Sequence, residues 1–346
     1  MKKRLIICAD GTWDEPGQTD QDIPSPTNVC KLAVAVLPFD KEGISQITSY
    51  HVGVGKRGGI GDHFFGGAMG AGLSKNIIDL YLFLALNYSP GDELFLFGFS
   101  RGAYTIRSLA GLIRNSGILK NKYATYYKEA YLLYRDRNHD THPKAPTAIE
   151  FRKKYSWPDF NIKFIGVWDT VGTLGLPFNG VKLKKLQFHD VDLSSHVDYA
   201  YQALAIDEKR KPFIPTLWKK QPTSPESQIL EQVWFPGVHC NVGGGYQNTG
   251  LSDCALNWMW SKAESCGLVL DSSQKPRPDL QGTLRNSMLW YYRLLGVKIR
   301  ILGSELPGSY ERLSQDALTR HELINDYQPE NMLNFLKSHP ELIIHS

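Results

Sequence analysis

Residues 93–113 read ELFLFGFSRGAYTIRSLAGLI, and they combine two patterns in one short stretch. Residues 93–99 are almost wholly apolar, which is typical of a strand buried on both faces of a parallel sheet. Apolar side chains then recur at three- and four-residue spacing over 103–113, which indicates a helix with one buried face. Only the three residues 100–102 separate the two patterns. The stretch therefore predicts a central strand joined to a helix by a very tight turn.

The turn itself carries a short motif. Residues 98–102 read GFSRG, which fits the nucleophile-elbow pattern G-x-S-x-G of α/β-hydrolases. The two glycines permit a sharp strand-to-helix turn that raises the serine hydroxyl above the sheet. The simpler interpretation is a glycine turn with an incidental serine, but the flanking strand and helix favour the elbow. We therefore predict Ser100 as a nucleophile.

A nucleophilic serine needs a base, and the base needs an acid that orients it. In α/β-hydrolases these groups follow the serine in the order Asp or Glu, then His. His239 stands at the end of a strand-like run over residues 232–238, and a loop with three consecutive glycines at 243–245 follows it. Such a loop gives the imidazole room to fold back over the sheet. We predict His239 as the general base, with a purely structural histidine as the simpler alternative.

Two aspartates compete for the role of the acid. Asp169 directly follows a strand-like run over residues 162–168, at the carboxyl edge of the sheet where catalytic groups of open α/β folds collect. Asp207 ends the run ALAI at 203–206, which resembles a helix. We prefer Asp169, and Asp207 is the alternative acid or else a structural or substrate-side charge.

Hydrolysis through a serine also requires donors for the oxyanion of the tetrahedral intermediate. The backbone amide of Arg101, directly after the serine, is the first predicted donor. The second should come from a loop after a neighbouring strand, and the sequence DGTW at 10–13 follows the apolar run 5–9. Gly11 or Thr12 is therefore the predicted second donor, while Asp10 is expected to anchor the loop.

The order of elements predicts the fold class. Strand-length apolar runs occur at 5–9, 44–54, 93–99, 162–168 and 232–238, and helical patterns such as 74–87 separate several of them. This alternation is typical of an α/β protein with a mostly parallel central sheet and helices on both faces. We expect an α/β-hydrolase-like fold.

The domain organisation is predicted to be simple. A length of 346 residues suits one large domain, and we assign residues 1–346 to a single α/β-hydrolase domain. Residues 121–158 are rich in Tyr, Lys and Arg and break the alternation of strand and helix. We predict that they form a helical insertion, or lid, within that domain.

Composition excludes several classes of protein. The formal charge of +4 is small and scattered, which argues against a nucleic-acid surface. Five widely spaced cysteines without a C-x-x-C pair indicate neither a disulfide framework nor a zinc site. The N-terminal apolar run meets Asp10 too early for a signal peptide, and no apolar stretch is long enough to span a bilayer. We expect a protein that is cytoplasmic as synthesised, with signal-peptide-independent export left open, and we expect no cofactor or metal.

At these motifs the chain resembles domain-of-unknown-function family 2235, which is similar in its catalytic domain to phospholipase effectors of bacterial type VI secretion. The resemblance is carried by five stretches, namely DGTW at 10–13, GFSRGA at 98–103, VWDTVG at 167–172, AIDE at 205–208 and PGVH at 236–239 with VGGGY at 242–246. It implies an α/β-hydrolase with a Ser-Asp-His triad and, in the effector branch, lipase action on phospholipids. From its sequence we expect no long membrane-docking extension of the kind that the large effectors have.

The sequence predicts a serine hydrolase that cleaves carboxylic esters, namely acyl esters of lipids or phospholipids, through an acyl-enzyme at Ser100. Two other functions are weighed against this esterase. A non-catalytic binding module on a hydrolase scaffold is the alternative from another class. A phosphatase of the haloacid-dehalogenase type would need its nucleophilic aspartate two residues before Asp10, where Cys8 stands instead. The match to G-x-G-x-x-G at 53–58 continues through more glycines rather than into a helix, so a mobile loop beside the site is the better prediction than a dinucleotide site. The predicted partners are a lipid or small ester substrate and a transient membrane surface, whereas the oligomeric state is not indicated.

Overall fold

The structure, a computed structural model, describes residues 2–11, 14–53, 66–136, 138–171 and 192–344. The strands are β1 (Lys3–Ala9), β2 (Thr19–Asp20), β3 (Ile23–Pro24), β4 (Ser45–His51), β5 (Glu93–Phe99), β6 (Ile162–Trp168), β7 (Asp192–Leu193), β8 (Val197–Ala205), β9 (Lys219–Lys220), β10 (Ile229–Phe235), β11 (Glu311–Ser314) and β12 (Ile343–Ile344). The helices are α1 (Asn28–Ala35), α2 (Gly66–Asn87), α3 (Ser100–Ser116), α4 (Tyr127–Arg135), α5 (Pro146–Tyr155), α6 (His239–Gly243), α7 (Gly250–Ser265), α8 (Trp290–Leu295), α9 (Gln315–Leu323) and α10 (Glu330–Ser338).

One large parallel sheet organises the described part of the chain. Its eight strands lie in the order β12-β11-β10-β8-β6-β5-β1-β4, and every neighbouring pair is parallel. The chain starts in the sheet at β1, goes to the edge at β4, and returns to β5 on the other side of β1. The strand order therefore reverses between β1 and β5, and ligands of open α/β sheets bind at such a switch point, beyond the carboxyl ends of the strands.

Helices cover both faces of this sheet because its central strands are apolar on both sides. In β1, Leu5 and Ile7 are buried in the core that includes α2 and α3, while Ile6 and Cys8 are buried in the core that includes α1 and α7. This alternation follows from the two-residue period of a strand. The predicted class, an α/β-hydrolase-like fold with a mostly parallel sheet and helices on both faces, is confirmed.

The segment predicted as a helical insertion is helical where it is described. It consists of a short 3-10 helix at Asn121–Tyr126 followed by α4 and α5, between α3 and β6. Ala130 and Tyr131 of α4 are buried in the same core as α3, so the segment packs on that face of the sheet. Its action as a lid and the assignment of residues 1–346 to one domain stay predictions.

Several boundaries differ from the sequence predictions. Helix α2 begins at Gly66 rather than at residue 74, and β10 covers Ile229–Phe235 rather than 232–238. The run at 203–206, predicted as helix-like, belongs mainly to strand β8. That interpretation was wrong because alanine and leucine favour helices only weakly, and burial on both faces of a parallel sheet overrides the preference. Within the described residues, no helix is both long and apolar enough to traverse a bilayer.

Candidate active site

Ser100 occupies a sharp bend between β5 and α3. Its φ is 55°, a left-handed value that residues other than glycine rarely adopt. Both flanking glycines are required by close backbone contacts, since a Cβ at Gly98 would lie 2.7 Å from the carbonyl oxygen of Gly102, and a Cβ at Gly102 would overlap the carbonyl oxygen of Ala9. The motif therefore forms a strained elbow that presses the start of α3 against the end of β1.

Strand β1 ends beside this elbow, at the point where the strand order reverses. The Asp10 carboxylate there accepts hydrogen bonds from the Gly11 amide at 2.8 Å, the Thr27 hydroxyl at 2.6 Å and the Tyr50 hydroxyl at 2.5 Å. Burial raises the pKa of Asp10, and these three donors oppose the rise. Asp10 thus anchors the loop, and it engages the amide of Gly11, one of the two predicted oxyanion donors. The other, Thr12, lies outside the described residues.

His239 and Asp169 form a buried pair. His239 is the first residue of α6, and its Nδ1 lies 2.5 Å from Oδ2 of Asp169, which directly follows β6. Asp169 is fully buried and has a left-handed φ of 40°. Backbone strain of this kind persists only where the surroundings enforce it, and it is concentrated at functional sites. The structure therefore brings together the histidine and the preferred aspartate of the sequence prediction.

Arg300 holds the Asp169 carboxylate from the opposite side. Its two terminal nitrogens donate to Oδ1 at 2.6 Å and to Oδ2 at 2.9 Å, and they also donate to the carbonyl oxygens of Ala205 and Phe213. Burial alone would raise the pKa of Asp169, but the charge of Arg300 and the hydrogen bonds from His239 and Arg300 bring it well below its usual range. Asp169 is thus a carboxylate at any pH near neutrality.

Burial has the dominant effect on His239 as well. It lowers the pKa of the imidazole, while the hydrogen bond and the charge of Asp169 act in the opposite direction. The net shift is downward, so the ring is neutral at pH 7. A neutral imidazole whose Nδ1 faces a carboxylate presents its other nitrogen, Nε2, as a proton acceptor.

Asp207, the alternative acid, has a different role in the structure. Its Oδ2 accepts hydrogen bonds from the amide of Gly237 at 2.7 Å and from the hydroxyl of Tyr327 at 3.0 Å. Burial raises its pKa, which these two donors partly offset. It fixes the turn after β10 that leads to His239, and among the described residues it makes no hydrogen bond to the imidazole.

Ser100 and His239 lie at the same edge of the sheet. The ring of Phe99, the residue before the serine, lies 4.6 Å from the imidazole of His239 between centroids, and the ring of Phe213 meets the other side edge-on at 4.9 Å. Both Ser100 and His239 are more than nine-tenths buried. Within the described part of the chain, no hydrogen bond joins the serine hydroxyl to the imidazole. Such contacts are often long before substrate binds.

The site contains two further residues, Glu208 and Arg300, that the sequence analysis did not assign. Glu208 accepts a hydrogen bond from the amide of His239 at 3.2 Å and is paired with Arg210 at 2.8 Å. Its place in the AIDE stretch was a signal that it belongs to the site. Arg300 gave no such signal, because it lies 131 residues from Asp169 in an apolar segment without a recognisable motif.

A cavity of about 330 Å³ lies between α3 and the helical insertion and is lined by Arg107, Tyr134 and Trp218 among others, away from Ser100. No group of three or more His, Cys, Asp or Glu side chains is arranged to hold a metal ion in the described part of the chain. The predicted loop at 53–58 falls almost entirely outside the described residues.

Residues 3–262 match the family described as the catalytic domain of Tle1-like phospholipase effectors of type VI secretion. The chain belongs to this family. The resemblance inferred from the five motifs is thereby confirmed, and the matched region contains Ser100, Asp169 and His239.

Individual relatives of this Tle1-like chain are more distant. The uncharacterised protein YEL023C of Saccharomyces cerevisiae is 29% identical over 245 residues, which is 65% of this chain and 34% of the yeast protein. The crystal structure of an uncharacterised protein from Pseudomonas aeruginosa has a TM-score of 0.46 at 16% identity, covering 78% of this chain and 46% of that one. The structure of the Tle1 effector bound to the VgrG spike has a TM-score of 0.36 at 20% identity, covering 72% and 52%. The chain thus spans from a third to about half of the length of these relatives.

Proposed function

We propose that this protein is a serine esterase that hydrolyses carboxylic esters of lipids, with Ser100 as nucleophile, His239 as general base and Asp169 as the orienting acid. One observation carries the proposal. A buried imidazole, held at 2.5 Å by a carboxylate that Arg300 keeps ionised, lies at the same sheet edge as a serine on a strained elbow. Membership in the Tle1-like family supports phospholipids as the substrate class.

The proposed reaction has two stages. The Ser100 oxygen attacks the ester carbonyl carbon while Nε2 of His239 takes the hydroxyl proton. The tetrahedral intermediate collapses to an acyl-enzyme at Ser100, and the departing alcohol takes the proton from the imidazolium. Water then attacks the acyl group, with His239 again as the base, and releases the fatty acid and free serine.

Oxyanion stabilisation comes from the start of α3. The amide of Arg101 is one of the first amides of that helix, which have no partner within the helix, and the positive end of the helix dipole favours an anion there. The second donor belongs to the loop at Gly11 and Thr12. Since the Gly11 amide donates to Asp10 in this structure, Thr12 is the better candidate of the two.

A fluorophosphonate probe tests the nucleophile. Wild-type protein should be labelled and should hydrolyse a short-chain nitrophenyl ester, and Ser100→Ala should lose both properties while keeping its circular dichroism spectrum. Ser261→Ala, an exposed serine of α7, is the matched control and should behave as wild type. Labelling of Ser100→Ala at the wild-type level would refute the assignment.

The non-catalytic binding module is kept as a second candidate for one specific reason. The serine hydroxyl and the imidazole, both in the described part of the chain, share no hydrogen bond. If wild-type protein is neither labelled nor active, yet binds phospholipid vesicles or short-chain lipids, the binding module replaces the enzyme.

The proposal also covers where the protein is made and how it is exported. The family description supports delivery as a type VI effector, and we propose cytoplasmic synthesis followed by export without a signal peptide. A lipid surface is the expected partner of such a lipase. Secretion can be followed with a tagged chain in a strain with and without a working type VI apparatus.

A further inference from the structure

Residues 289–301 expose an unusual number of large apolar side chains beside the candidate site. Trp290 is 75% exposed, Leu294 79% and Ile301 67%. Leu289, Val297 and Ile299 are each about half exposed or more. These residues, here called the apolar segment, form α8 and the extended chain that follows it. Contiguous exposed apolar surface of this kind marks a site of interaction with another protein or a membrane.

The charge of the apolar segment selects between these partners. Its sequence, LWYYRLLGVKIRI, contains three basic residues and no Asp or Glu. Arg300 points inward to Asp169, whereas Arg293 and Lys298 are exposed. Neither of these two forms an ion pair with a carboxylate of the described residues. Tryptophan and leucine side chains interleaved with exposed cations match the boundary of an anionic bilayer, where apolar groups enter the acyl region and cations meet the headgroups.

The apolar segment is also fixed to the candidate active site. Ahead of it, the Ser287 hydroxyl donates to Glu208, whose carboxylate in turn accepts from the amide of His239. Near its end, Arg300 binds Asp169. The ring of Tyr292 packs on Phe213 at 5.8 Å, and that ring packs on the imidazole. A surface that met a bilayer through the apolar segment would therefore hold the catalytic edge close to the lipid.

We propose that the apolar segment docks this protein on an anionic phospholipid surface, with Trp290 and Leu294 entering the bilayer boundary and Arg293 and Lys298 contacting headgroups. The inference rests on the proposed function in so far as a lipid surface is where the proposed substrate lies. Docking itself is a binding event, so it is measured without any turnover.

Co-sedimentation with vesicles tests the docking. The full chain is mixed with vesicles of phosphatidylcholine alone or with added phosphatidylglycerol. The double variant Trp290→Ser/Leu294→Ser should bind both at least about tenfold more weakly, because two buried apolar anchors are lost. Leu132→Ser, at a leucine of α4 that is 66% exposed, is the matched control and should bind as wild type.

A second pair of changes tests the charge. Arg293→Gln/Lys298→Gln should weaken binding to the phosphatidylglycerol vesicles by about 10- to 30-fold, since each cation near an anionic surface contributes roughly fivefold. Binding to pure phosphatidylcholine should stay unchanged. Equal loss on both vesicle types would contradict the headgroup role.

Turnover of a soluble short-chain ester separates docking from catalysis. Trp290→Ser/Leu294→Ser should keep this turnover and lose hydrolysis of vesicle lipid. If neither the wild type nor any variant hydrolyses an ester, but the double variant still loses vesicle binding, the docking proposal is supported and the proposed function is wrong. If the double variant binds vesicles as tightly as wild type does, the docking proposal is wrong. If the wild type is also a dimer and this variant is a monomer, the segment instead joins two copies of the chain.

Discussion

Replacing Arg300 with methionine removes the cation that keeps Asp169 charged inside the protein. Methionine approximates the length of the arginine stem but supplies no charge and no donor. Arg300 is 4% exposed, and its guanidinium makes four hydrogen bonds, at 2.6 and 2.9 Å to the carboxylate and at 2.7 and 2.5 Å to two carbonyl oxygens. The substitution therefore leaves a fully buried carboxylate with His239 and the Ala205 amide as its remaining described partners.

The size of the loss in the free energy of unfolding follows from the burial of the ion pair between Arg300 and Asp169. Loss of one partner from a buried ion pair typically costs about 3–5 kcal/mol, because the other charge stays buried without compensation. Four separate hydrogen bonds to a charged group would sum to more, but contributions within one network are not additive. We expect Arg300→Met to lower the free energy of unfolding by about 3–5 kcal/mol at pH 7.

Chemical denaturation at two pH values measures this effect and its sign. The pKa of Asp169 is lowered in the folded protein, so its interactions stabilise the fold above the unfolded value of 3.8. That contribution declines as the pH falls from this value and is lost only as the pH passes the lower pKa of the folded state. The difference between wild type and Arg300→Met should therefore shrink from pH 7 toward pH 3.

A matched control is available on the surface of the same region. Arg285→Met breaks the partly exposed ion pair with Asp20 and should cost no more than about 1 kcal/mol. If Arg300→Met unfolds within about 1 kcal/mol of wild type at pH 7 and keeps full esterase activity, the guanidinium does not stabilise the Asp169 carboxylate as we argue.

Three further predictions concern the site. Asp169→Asn should lower kcat by roughly 10⁴-fold, as loss of the orienting acid does in serine hydrolases, whereas Asp207→Asn should mainly lower stability; the reverse pattern in ester kinetics would exchange their roles. The acidic limb of kcat/KM for a soluble ester should have its midpoint below pH 6.5, because burial lowers the pKa of the base His239, and a midpoint above that value counts against it. Gly102→Ala should abolish labelling by the fluorophosphonate probe and lower the thermal midpoint, since the added Cβ overlaps the Ala9 carbonyl; normal labelling would show that the elbow tolerates it.

The parts of the site that lie at strand ends could be predicted from local sequence. Ser100 and Asp169 each follow a buried seven-residue strand, and parallel strands bring their carboxyl ends to one edge. His239 follows β10 by a short turn, so the same argument places it there. Its place at a strand end favoured Asp169 over Asp207 as the partner of His239, but Asp207 stayed open as the alternative because the fold of the turn after β10 could not be predicted.

Other parts could not be predicted because no local pattern encodes them. Arg300 is placed by tertiary contacts alone, and nothing in its neighbours distinguishes it from the exposed Lys298. Strand β11 has four residues and β12 two, which is too short for a periodic signal. The stretch at 203–206 misled because alanine and leucine suit a helix, whereas in the fold its residues are buried between β6 and β10.

The contacts of Asp169 connect the C-terminal third of this chain to the candidate active site. The family match ends at residue 262, after Ser100, Asp169 and His239, yet the cation that compensates Asp169 comes from residue 300. Without that cation, burial would raise the pKa of the Asp169 carboxyl, because burial disfavours its charged form. Its hydrogen bond to the imidazole of His239 would then weaken. The apolar segment 289–301 thus includes both the cation that keeps the acid ionised and the exposed residues proposed to meet the lipid. Because one stretch of chain has both roles, a displacement of that stretch by the bilayer would also move Arg300 relative to Asp169.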